Sequence, residues 1–178
     1  MKKRIPNKTE IRLVFGIIVF LVFGWAIWFF LYELPSQLLN TRWVDIIYNF
    51  MTLMATALLE SIFTGIGLMV LSFLLPIKWF REGFPYKSFV TLGVMVGIIF
   101  WYRKVFINDD FFPSIDIVSS GLIIFFLVWV ALLFAIHYGK PLQRFVYFLE
   151  ERIEIFLYLY VPLGIIGFLT ILIMSVVA

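Results

Sequence analysis

Long apolar runs separated by short polar segments dominate the chain. The charge-free run from Leu13 to Tyr32 is followed at once by Glu33 and Pro35. A second run lies within Ile46–Leu75, a third begins at Ser88 and reaches Arg103–Lys104, a fourth covers Ile117–Ile136, and a fifth runs from Ile155 to the C-terminus. A helix needs about 20 apolar residues to cross a hydrocarbon core of about 30 Å. The pattern therefore predicts an all-α, polytopic membrane protein, a bundle of about five transmembrane helices forming one domain over residues 1–178. The expected spans are 13–32, 46–75, 88–106, 117–136 and 155–177.

Three of these spans leave alternatives open. The second is long enough to tilt or protrude. The third has only Ser88–Tyr102 before its two cations; Val105–Ile107 extend it if Arg103 and Lys104 snorkel, and a re-entrant hairpin is the other reading. The segment Pro141–Arg152 places Leu142, Phe145, Val146 and Leu149 at helical spacing, either as a separate interfacial helix or as an extension of the fifth span. Pro162 should kink that span.

Composition agrees with a membrane setting and changes the picture in two respects. With 63% hydrophobic and 14% charged residues, the 178-residue chain has no room for a separate soluble domain. The net charge of +3 comes from basic residues flanking spans, so it sets orientation and does not point to nucleic acid. With the N-terminus cytoplasmic, eleven cations fall inside (Lys2, Lys3, Arg4, Lys8, Arg12, Lys78, Arg81, Lys87, Lys140, Arg144, Arg152) and three outside (Arg42, Arg103, Lys104). That asymmetry predicts a cytoplasmic N-terminus, an outside C-terminus and a cell (plasma) membrane location. The first span exceeds a signal-peptide core of roughly 7–15 residues and lacks a following small-residue cleavage site, so it reads as uncleaved. Trp43, Tyr48, Trp79, Trp101 and Tyr102 stand at predicted span ends as interfacial anchors.

One charge breaks the pattern. Glu60 lies near the middle of the stretch from Ile46 to Ile77. An ionised acid at that depth costs about 2.5–3.5 kcal/mol on insertion scales. Asn49, Thr52, Thr56, Glu60, Thr64 and Gly67 share an arc of roughly 120° of the helix, interrupted by Leu53 and Phe63. Lipid offers such a row no hydrogen bonds, so protein or water must face it. The candidate polar site is therefore Glu60 with Asn49, Thr52, Thr56 and Thr64. Its structural role is a neutral carboxyl clipped to a neighbouring helix, with Gly97, Gly164 and Gly167 making room. Its functional role is ion, proton or substrate handling.

Close helix packing is expected at Gly93 and Gly97 on the third span and at Ala131 and Ala135 on the fourth, within the bundle or between subunits. The outer acids Asp109, Asp110 and Asp116 lack a calcium-loop signature and read as solvated partners of Arg103 and Lys104. His137 reads as a boundary anchor. The chain has no Cys and one His, which excludes disulfides and multi-histidine metal sites. It shows no HExxH, GxSxG or P-loop, and no paired carboxylates at depth. No cofactor and no metal is expected, and an enzyme is the less favoured class. These features predict a membrane protein acting through helix packing as an accessory, assembly or scaffolding component. Its expected partners are the lipid bilayer and other membrane subunits or further copies of itself. The alternative is a small oligomeric transporter or channel that uses Glu60.

Overall fold

The computed structural model describes residues 6–75, 80, 83–108, 115–138 and 140–177. It is all-helical among these: α1 (Lys8–Asn40), α2 (Trp43–Leu74), α3 (Phe84–Asn108), α4 (Ile115–Tyr138) and α5 (Lys140–Val177). All five are long and apolar enough to cross a membrane, the pattern of an integral membrane protein. Apolar surroundings favour this solution because a helix satisfies its backbone internally.

Local signals set several of the helix ends. The Asn7 backbone N–H donates to the Glu10 carboxylate at 2.8 Å, so an acid sits in the first turn of α1, where the helix dipole favours it. At the other end Thr41 N–H donates to Gln37 O at 2.8 Å, and only Thr41 and Arg42 separate α1 from α2. So short a connection makes the two helices antiparallel neighbours. Gly83 takes φ +88° just before α3, and a Cβ there would run into the Tyr86 ring.

Most helices outrun the spans read from the sequence, and three differences stand out. Helix α1 does not stop at Glu33 and Pro35 but continues to Asn40. Proline leaves one carbonyl a turn back without its donor; it does so beside exposed Tyr32 and Ser36, where polar surroundings can satisfy that carbonyl. Helix α3 is one uninterrupted helix of 25 residues rather than a hairpin, starting at Phe84 because Gly83 supplies the turn. Residues 140–152 are the first part of α5 itself, which has 38 residues, about 57 Å at 1.5 Å per residue. They are not a separate interfacial helix. Pro162 lies inside this continuous helix.

Packing divides the bundle into two zones. At the end carrying the chain's N-terminus, all five helices share one core: Leu13, Val14, Ile17 and Ile18 of α1 meet Leu68 of α2, Phe84 and Val90 of α3, Leu133 and Ile136 of α4, and Ile153 of α5. Starts of α1, α3 and α5 thus meet ends of α2 and α4, so successive helices alternate in direction. Toward the far end, a second core contains only α1, α2 and α5, around Phe23, Met54 and Ala57. Phe23 stacks on Tyr160 at 5.2 Å between ring centroids. There α3 and α4 pack chiefly on each other, with Trp101 edge-on to Phe125 at 5.7 Å and Gly121 facing the Trp101 ring. Trp25 of α1 reaches Phe100 of α3 at 5.5 Å.

Candidate polar site on the second helix

Helix α2 has two rows of residues that run side by side and have different fates. Met54, Ala57, Ser61, Gly65 and Leu68 are buried. The Phe15 ring lies 3.4 Å from where a Gly65 Cβ would stand, and Ser61 returns its hydroxyl to Ala57 O at 2.7 Å. This small-residue row packs on α1. The polar row is offset from it by one residue, a rotation of about 100°, and faces outward. Asn49, Thr56, Glu60 and Gly67 are exposed, while Thr52 and Thr64 are half-buried.

That placement corrects the expected surroundings of Glu60. Gly164 and Gly167 do not make room for it. A Cβ on Gly164 would lie 2.8 Å from Leu58 Cβ, and one on Gly167 would meet the Met51 carbonyl and lie 3.1 Å from Ala55 N. Met51, Ala55 and Leu58 are on the side of α2 roughly opposite Glu60. Gly97 faces Phe125 of α4. Nor do the neighbouring threonines donate to the carboxyl: Thr52 Oγ1 gives its proton to Tyr48 O and Thr56 Oγ1 gives its to Thr52 O, each at 2.9 Å. Among the described residues, Glu60 has no hydrogen bond or ion pair. Besides exposed Thr56, its helix neighbours on the outward side include apolar groups, with Phe63 70% exposed and Leu59 and Ile66 also outward.

The expected small-residue contacts on α3 and α4 also shift. Gly93 has nothing within 4 Å of an added Cβ, and Ala131 and Ala135 are exposed, so among the described residues they do not carry a close crossing. Gly97 makes only an ordinary contact with Phe125. The tight approaches run instead through Gly16, against Ile153 and Leu157, and through Gly121, Gly164 and Gly167. Two signals in the sequence point there: Ala57, Ser61 and Gly65 repeat every four residues, and Gly164 and Gly167 stand three apart.

A second polar group lies at the head of α3. Lys87, placed by the sequence among the flanking cations, is 1% exposed, with its Nζ 5.8 Å from the Tyr86 ring centroid. Ser88 beside it is fully buried, and its Oγ has no hydrogen-bond partner among the described residues. Trp129 Nε1 donates to Thr91 Oγ1 at 3.0 Å, and Thr91 Oγ1 donates to Lys87 O at 2.9 Å, tying α4 to α3. Thr91 and Trp129 line one end of an open apolar groove of about 270 Å³ with Met95, Ile98, Leu122 and Phe125. Lys78, Arg81, Trp79, Asp109 and Asp110 lie outside the described residues, as do the side chains of Asp116, His137, Lys140 and Arg144.

Compared with family models, curated proteins and solved structures, the chain finds no match.

Proposed function

We propose that the protein is a non-enzymatic subunit of a membrane assembly that acts through helix packing, as an accessory, assembly or scaffolding component. It sits in the cell membrane with its N-terminus cytoplasmic and its C-terminus outside. The observation that carries this reading is the outward-facing polar row of α2. A carboxyl at membrane depth finds no hydrogen bonds in hydrocarbon, and among the described residues it has no partner. Another protein surface supplies one.

A photo-cross-linking amino acid tests this in native membranes. Placed at Thr56 it should yield a discrete protein adduct, whereas at Ile166, on an exposed apolar face of α5, it should label lipid alone. Absence of a protein adduct at Thr56 sinks the reading.

One observation favours a second reading. From Asn49 to Gly67 the polar row covers about 27 Å of helix, close to the hydrocarbon thickness, as a pore lining built from several copies requires. Against it, Phe63, Leu59 and Ile66 crowd the same surface with apolar groups. A Glu60-dependent cation flux in vesicles containing the purified chain alone would favour the channel and displace the packing role.

A further inference from the structure

We propose that the α2 face centred on Glu60 docks a transmembrane helix carrying a lysine or arginine at mid-membrane depth. This rests on the packing reading above and names the chemistry of the partner.

Charge complementarity decides the occupant. Glu60 stands midway along α2, exposed, and without a hydrogen bond or ion pair among the described residues. The two nearest preceding threonines have committed their hydroxyl protons to their own helix. No cation lies between Arg12 and Arg42, Arg42 and Lys78, Lys87 and Arg103, Lys104 and His137, or beyond Arg152. A second copy of the chain, whichever face it presents at this depth, therefore offers apolar groups, hydroxyls or another Glu60. A symmetric contact through α2 would set like charges against each other, because a two-fold interface pairs a residue near its axis with itself. The missing counter-charge comes from a different chain. In a low-dielectric setting a cation and a carboxylate attract strongly, and Arg can engage both carboxylate oxygens at once.

The shape of the face suits a helix. Thr56, Thr64 and Gly67 are small and leave a shallow track beside the row packed on α1. Gly67 has open space around it. Phe63, at 70% exposure, stands as a ridge along the other side of that track. Because Glu60 is equidistant in sequence from Arg42 and Lys78, the partner's cation belongs at the centre of its own span, not at a snorkelling position near an end.

The test uses synthetic leucine-rich transmembrane helices with one central residue varied. A labelled helix bearing a central Lys and the labelled full-length protein are mixed in phosphatidylcholine vesicles, and association is read by energy transfer. The Lys helix should associate about tenfold more tightly than the all-Leu helix, within the range of interhelical polar pairs. Moving the Lys two turns toward either end should remove the gain. Glu60→Gln should also abolish it, although the same change would be nearly silent if the face exchanged only neutral hydrogen bonds. Glu60→Lys should reverse the preference toward a central-Glu helix, and unchanged helicity by circular dichroism shows that both variants fold.

Equal affinity for the Lys and Leu helices overturns the proposal, and so does a Lys preference that survives Glu60→Gln. Energy transfer between copies of the protein that Glu60→Gln removes would hand the face to a second copy. If cross-linking at Thr56 finds protein while the Lys helix does not bind, the packing reading stands and the cationic partner falls. If Thr56 meets no protein, both fall.

Discussion

Substituting Gly167 by alanine should weaken the fold more than any other single methyl addition on α5. An added Cβ would overlap the Met51 carbonyl oxygen and lie 3.1 Å from Ala55 N and 3.3 Å from Met51 C. All three are backbone atoms of α2, so no side chain can rotate to relieve the overlap. The α2 and α5 axes must move apart by about an ångström, loosening the dispersion contacts that hold apolar helices together where lipid is as apolar as they are. Overpacking of this kind costs about 1–3 kcal/mol, and its backbone character places it near 2 kcal/mol or above.

Gly93→Ala is the matched control. It adds the same methyl in mid-helix with nothing within 4 Å, so its steric cost is absent and helix propensity favours it slightly. Unfolding by increasing SDS in mixed micelles, followed by tryptophan fluorescence, compares the two. Gly167→Ala should shift the folded-to-unfolded ratio by roughly thirtyfold toward unfolded, while Gly93→Ala leaves it unchanged or improved. Equal midpoints for Gly167→Ala and the unaltered protein refute the reasoning, as does a Gly93 variant that falls as far.

Gly83→Ala should cost about 1–3 kcal/mol in the same assay, because φ +88° disfavours any side chain and the methyl collides with Tyr86; a loss under about 0.5 kcal/mol would show that α3 can start elsewhere. The absence of native cysteine makes orientation directly readable: Lys8→Cys should resist a membrane-impermeant maleimide applied to intact cells while Asn40→Cys reacts, and the opposite pattern inverts the predicted orientation.

Hydropathy made the number and rough positions of the helices readable, because each apolar run is long enough to decide itself. Their ends were less readable. Pro35 looks like a stop yet sits in a stretch where losing one hydrogen bond is tolerable. The start of α3 depended on one positive φ at Gly83. Side-to-side packing was the least legible, because on a helix apolar all round no hydrophobic stripe marks the inside. Gly93 and Gly97 match the familiar spacing but serve no tight crossing among the described residues. Ala57, Ser61 and Gly65, which do the packing on α1, are hidden by one of them being a serine.

The same degeneracy explains why Glu60 is legible in the sequence and its neighbours are not. A carboxyl in an apolar run is conspicuous on composition alone, but which side of α2 turns inward is set by volume. The rows 57-61-65 and 56-60-64 differ by one residue, and both are made mostly of small side chains. Alanine, serine and glycine let α1 approach closely enough to bury Ser61 completely. A glutamate in that row would hold the helices apart and bury a charge without a partner. Packing therefore selects the smaller row for the interior and turns the carboxyl outward, where it has no hydrogen bond or ion pair among the described residues.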